Sequence, residues 1–227
     1  MSFSSNPSFV RKFIKFTSYT DGRDKLYRTA QYTSRWLIWY WNTTGVVPKE
    51  LHIRIQNLEA ALTMSRKLFR MAKTLDFLQK IADAMYITDD ILKIFQILGM
   101  TGKAAWLVAD HVIWFTKIKV IKADLLMWSK ISAWTWFLGI LALVLRDLRK
   151  LHNLIELAKG LKYGGEKRAK VALEKELESA KIELIKDVCD LMIPLGSLQY
   201  LNKGWGATGG TISSLIGLQQ TWCQINK

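Results

Sequence analysis

Residues 58–78 read LEAALTMSRKLFRMAKTLDFL. Wound at 3.6 residues per turn, Leu58, Ala61, Met64, Leu68, Phe69, Met71, Ala72, Leu75 and Leu78 fall on one half of a helix. Arg66, Lys67, Arg70 and Lys73 fall on the other half, with few acids among them. Phe77 breaks the division by pointing into the basic half. Such a helix has two common destinations: its apolar half packs into a protein core, or the whole rod lies in the headgroup zone of an anionic membrane. The segment alone leaves both open.

The surrounding composition narrows the choice. The chain has 227 residues, half of them apolar, with ten Trp, only three Pro and a net charge of +14. Low Pro and the absence of strand-like alternation predict an all-α protein. A charge of that size points to an anionic partner, either nucleic acid or a membrane surface. Uncharged runs such as 131–145 and 204–226 argue against a soluble nucleic-acid binder, and no zinc-ligand spacing, RNA-binding aromatic motif or basic-region heptad occurs. The basic surplus is concentrated in residues 1–130, around the amphipathic stretch.

Outward from that stretch, the chain reads as a string of helices. Asn6 or Ser8 caps a short helix to about residue 16, and Thr20 or Asp21 caps a second that ends in Trp36-Leu37-Ile38-Trp39-Tyr40-Trp41. An aromatic end of this kind suits either a core or the water–hydrocarbon boundary. Pro48 opens the long helix that contains 58–78, and Thr88-Asp89-Asp90 opens a short one, 91–98, closed by Gly99 and Gly102. Residues 104–121 are apolar but carry Asp110, His111 and Lys117, which predicts a shallow or protein-packed helix.

Residues 125–145 form the best membrane span. Their uncharged part, 131–145, reaches about 22 Å as a helix, so crossing roughly 30 Å of hydrocarbon requires Lys130 to snorkel outward. Arg146, Arg149 and Lys150 are expected to stop it, and 146–187 reads as a charged helical hairpin broken at Gly160, Gly164 and Gly165. Residues 204–226 offer a possible second span. There Gly206, Gly210 and Ser214, and in parallel Gly209, Ser213 and Gly217, form two small-residue ridges on which another helix can approach closely. The resulting organisation is an N-terminal helical region (1–122), an apolar segment (123–147), a charged linker (148–190) and a Gly-rich apolar end (191–227).

Nothing points to an enzyme, a metal or a cofactor. Asp110 and His111 are helix neighbours about 100° apart and do not face each other. His52, His111 and His152 lie far apart, Cys189 and Cys223 make neither a metal cluster nor a disulfide framework, and no phosphate loop follows the glycine pairs. The start, MSFSSNPSF, has no room for a signal-peptide core before Arg11, Lys12 and Lys15, so internal segments are expected to carry the chain to a membrane.

Tyr19-Thr20-Asp21-Gly22-Arg23-Asp24-Lys25-Leu26, followed by Arg28 and Gln31-Tyr32, resembles the N-terminal signature of the peroxin-11 family of peroxisomal membrane proteins. The order of the later segments is similar as well: the basic amphipathic helix, Asp110-His111-Val112-Ile113-Trp114, an apolar stretch, a charged linker and the Gly-rich end with Ser213-Ser214-Leu215-Ile216-Gly217. The resemblance implies an all-α integral membrane protein with one or two spans and cytosolic termini. It also implies a role in elongating peroxisomes before fission, by insertion of a cationic amphipathic helix, self-association into a homo-oligomer and engagement of dynamin-type fission machinery. The positions matching that helix carry a membrane-inserting face (Leu58, Met64, Leu68, Phe69, Met71, Leu75, Leu78) and a face for acidic phospholipid headgroups (Arg66, Lys67, Arg70, Lys73). The alternative is a channel for small metabolites, with Asp110, His111 and Lys117 lining a wet path.

Overall fold

The computed structural model describes residues 8–161 and 167–227. The cap considered at Asn6 and the break expected at Gly164 and Gly165 lie outside these residues. The described residues form eight helices and no strand: α1 (Phe9–Ser18), α2 (Thr20–Thr44), α3 (Lys49–Phe69), α4 (Lys73–Ala84), α5 (Asp90–Lys117), α6 (Leu125–Leu161), α7 (Lys167–Ser197) and α8 (Lys203–Ile225).

The ends follow ordinary capping chemistry. Ser8 Oγ accepts from the Arg11 amide at 3.4 Å, Asp89 Oδ1 from Leu92 at 3.0 Å, Asp124 Oδ1 from Leu126 at 2.8 Å and the Asn202 side chain from Gly204 at 2.9 Å. Gly45, at φ 68°, closes α2 in the left-handed conformation that glycine adopts without strain.

Three expectations about helix length are corrected. Residues 58–78 are not one rod: α3 stops at Phe69 and α4 begins at Lys73. The segments 91–98 and 104–121 are not separate but belong to α5, 28 residues long, because Gly99 and Gly102 serve packing and not termination. A Cβ on Gly102 would lie 2.5 Å from the Gly139 Cα of α6, and one on Gly99 2.4 Å from the Leu143 side chain, so Gly102 lets the α5 and α6 backbones touch and Gly99 makes room for Leu143. Finally, Arg146, Arg149 and Lys150 do not stop α6, which runs on to Leu161, 37 residues in all. The first two of these cations are answered locally: Arg146 by Asp147 and Gln96, and Arg149 by Asp89 at 3.2 Å.

Packing closes the helices into a ring in the order α2, α3, α5, α6, α7, α8 and back to α2, with α4 lying on α5 and α1 on α2 and α8. Beside its apolar core the ring also buries an unusual set of polar side chains. Asp24, Gln31, Arg66, Lys67, Asp110, Asp147, Asp187, Asp190, Ser213 and Ser214 are buried, while large apolar side chains of nearly every helix face outward. Water punishes that arrangement; hydrocarbon rewards it. Two described helices, α5 and α6, are long and apolar enough to cross a membrane, and only 22% and 33% of their apolar stretches are buried inside the protein. A core helix of a soluble domain would hide far more. The second candidate span is therefore α5, whose acid at position 110 is neutralised by partners; α8, diluted by Gly, Ser and Gln, is not apolar enough to count with them.

Candidate membrane-active site

The site begins at the sharp corner between α1 and α2. Gly22 has no Cβ because one would stand 2.1 Å from the Phe16 carbonyl oxygen. From this corner the signature residues reach three other helices. Arg23 lies over the Phe69 ring at 5.8 Å, Asp24 accepts from Arg66 Nε at 3.0 Å, Asp21 pairs with Lys73, and the Lys25 side chain covers Gly217 of α8. Burial pushes the Asp24 carboxyl up, but Arg66 beside it outweighs this and holds it below the usual carboxylate range. Burial pulls the Arg66 guanidinium down to about 10, still charged at neutral pH. The Lys25 ammonium, desolvated and close to Arg28, falls to about 8.

Most of the basic half of 58–78 is turned inward: Arg66 and Lys67 are buried and Arg70 is half-buried, while Lys73 meets Asp21 near the surface. Lys67 Nζ and Arg70 Nη2 share the Asp110 carboxylate of α5, the latter at 2.8 Å, and the Arg70 guanidinium lies 4.8 Å over the Trp106 ring. His111 Nε2 sits 3.3 Å from the Arg70 carbonyl. Together these contacts fix the bend between α3 and α4, where Ala72 takes a left-handed φ of 65°. In this arrangement Arg66, Lys67, Arg70 and Lys73 do not form the outward headgroup face expected of them, because acids on α2 and α5 reach them first. Two turns before Arg66, Glu59 binds Arg35 Nε at 2.5 Å; burial raises its carboxyl, and Arg35 more than reverses that.

The apolar half is turned outward. Leu58, Leu68, Leu75 and Leu78 are 45%, 51%, 65% and 53% exposed. Met64 and Met71 are half-buried, and Phe69 leaves the outer face to pack on Tyr27 at 5.5 Å. The four leucines thus lie along two helices joined at a bend, with ion pairs behind them.

The other expected sites are separated by the fold. Asp110 is buried between Lys67 and Arg70, His111 lies against the Arg70 carbonyl, and Lys117 is exposed at the end of α5. The α8 ridges are consumed inside the chain. Gly206 and Gly209 face the α7 backbone, Gly210 faces the Tyr32 ring, Gly217 faces Lys25, and Ser213 and Ser214 are fully buried. Sequence reasoning missed the partner of that ridge, Arg28, which binds both Asp190 of α7 and Ser213 Oγ at 3.0 Å. Asp190 within the otherwise apolar stretch 188–195 was the available signal.

The profile of the family described as Peroxisomal biogenesis factor 11 (PEX11) matches residues 10–222. Peroxisomal membrane protein PMP27 of Saccharomyces cerevisiae is 30% identical over 231 residues, covering 94% of each chain. Peroxisomal membrane protein 11A of Homo sapiens is 23% identical, covering 91% of this chain and 94% of its own, and Peroxisomal membrane protein 11-3 of Oryza sativa is 25% identical, covering 91% and 86%. No solved structure matches. With the profile spanning nearly its whole length and its relatives aligned end to end, the chain belongs to the Peroxisomal biogenesis factor 11 family, whose members it resembles are peroxisomal membrane proteins.

Proposed function

We propose that this chain elongates and remodels the peroxisomal membrane ahead of fission, and so sets peroxisome number and size, by lodging the apolar side of α3 and α4 in the cytosolic leaflet. The observation that carries this reading is the outward stripe of Leu58, Leu68, Leu75 and Leu78 on a segment whose polar side is tied to the bundle. Burying a leucine side chain at the acyl boundary yields about 1.5–3 kcal/mol, and four of them widen one leaflet without crossing it. The α5 span packs against α3 and α4 and holds the depth of the stripe, with α6 packed on α5 in turn. Self-association and engagement of dynamin-type fission machinery belong to the same reading and rest on the family relationship. Because the α8 ridges are already occupied by α2 and α7, the surface for self-association lies elsewhere on the bundle.

The test is a Leu68→Glu, Leu75→Glu double variant of the full-length protein, reconstituted into anionic vesicles and scored for tubulation by electron microscopy. Loss of tubules with the protein still inserted supports the wedge. Tubules as frequent as those of the unaltered chain would sink it.

A further inference from the structure

We propose that the bend at Arg70–Ala72 is a latch: carboxylates of α2 and α5 pair with the four cations of residues 66–73, two of them buried, and their release straightens α3 and α4 into one helix that presents those cations to anionic phospholipid headgroups. The inference rests on the insertion reading above and adds its regulation.

The bend has no local cause. Helices break at Pro, at Gly or where something inserts into the backbone ladder, yet the sequence here is Arg70-Met71-Ala72. Alanine is the best helix former, and in the left-handed region its Cβ crowds the following carbonyl. Ala72 nevertheless sits at φ 65°. The constraint must come from outside the segment, and it is visible on both sides of the bend. Before it, Arg66 is anchored on Asp24 and Lys67 on Asp110; at it, Arg70 is anchored on Asp110; after it, Lys73 is anchored on Asp21. His111 holds the Arg70 carbonyl of the bend itself.

These four cations have a second set of acceptors. Phosphates on an anionic bilayer offer the same charge and the same hydrogen-bond geometry as the three aspartates, without the cost of burying both partners. The helical period of 58–78 runs unbroken through the bend, so one straight helix restores a continuous apolar stripe opposite a continuous cationic one. Two conformations of one segment, differing in which anions they bind, are the elements of a population shift driven by the membrane. Neutral bilayers lack the competing anion and leave the latch closed.

The test compares full-length protein in phosphatidylcholine vesicles with protein in vesicles that also contain an acidic phospholipid, reading amide hydrogen exchange at residues 70–74 together with tubulation. The latch predicts added protection of those amides only on the acidic vesicles. Ala72→Gly relieves the bend and weakens the straight helix, and is expected to reduce tubulation of acidic vesicles on the order of tenfold while the protein melts normally. Asp110→Asn removes the carboxylate from Lys67 and Arg70 and is expected to raise tubulation; should that variant fail to insert, Ala72→Gly decides alone. Unchanged tubulation by a normally melting Ala72→Gly protein, or exchange at 70–74 that ignores lipid charge, overturns the latch. If Leu68→Glu with Leu75→Glu abolishes tubulation while Ala72→Gly matches the unaltered chain, the latch fails and the insertion reading stands.

Discussion

Replacing Gly102 by alanine tests the contact on which the two candidate spans depend. The added Cβ would lie 2.5 Å from Gly139 Cα, 2.8 Å from Gly139 N and 3.0 Å from the Thr135 carbonyl oxygen. Carbon atoms prefer about 3.5–4.0 Å, so α5 and α6 must part by roughly 1 Å at their crossing. Every obstructing atom is backbone, which leaves no side chain free to swing aside. Overpacking of this kind costs about 1–3 kcal/mol, and the upper end applies where backbone must move. Alanine returns up to about 1 kcal/mol of helix propensity, leaving a net loss near 2 kcal/mol. The separation also pulls at the Trp106 and Trp136 rings, which stack at 5.0 Å across the same interface. Denaturant titration of the purified protein in detergent, followed by Trp fluorescence, measures the change. Gly160→Ala is the internal reference, since among the described residues nothing lies within 4 Å of its added Cβ and it should gain as much as about 1 kcal/mol. If Gly102→Ala gains stability by the same margin as Gly160→Ala, the glycine crossing of α5 and α6 is refuted.

Two further outcomes follow from the charged interior. Asp190→Asn leaves the Arg28 guanidinium buried without its carboxylate, so unfolding in detergent should become easier by about 3–5 kcal/mol, whereas a cost below about 1 kcal/mol would mean that Arg28 finds another anion. Asp24 and Glu59 titrate below their ordinary values of 3.8 and 4.5 in the folded chain, so the unfolded chain binds more protons as acid is added. Their contribution is complete above those ordinary values and is lost as the pH falls through the folded ones. The melting temperature should therefore hold steady down to about pH 5 and drop below it, and Asp24→Asn should shallow the drop; a melting temperature that rises on acidification contradicts the pairing.

The helical class, the order of the helices and the apolar run at 125–145 were legible because period and composition are local properties. Orientation was not. The wheel at 58–78 separates the leucines from the cations, although Phe69 departs from its half, and which half faces the protein depends on acids 42 and 43 positions away, Asp24 for Arg66 and Asp110 for Lys67. A cationic half reads as outward only while its counter-charges are unseen. Gly99 and Gly102 misled for a related reason: a glycine that ends a helix and a glycine that admits a neighbour look alike until the neighbour, Gly139, is in place. The α8 ridges showed their spacing plainly, yet spacing does not say whether the approaching helix comes from the same chain.

The run Gly22-Arg23-Asp24-Lys25 shows how much long-range structure four adjacent residues can specify. At about 100° per residue, consecutive positions at the start of α2 point in four directions around its circumference. Each direction meets a different partner: the Phe16 backbone of α1, the Phe69 ring and the Arg66 guanidinium of α3, and Gly217 of α8. Four residues with no common face cannot form a binding surface for one ligand, but they can knit a helix into everything around it. The run therefore acts as a structural junction. Asp24 and Asp21 then connect that junction to the bend through Arg66 and Lys73, so the corner at α1 and the leucines of α3 and α4 are parts of one mechanical unit.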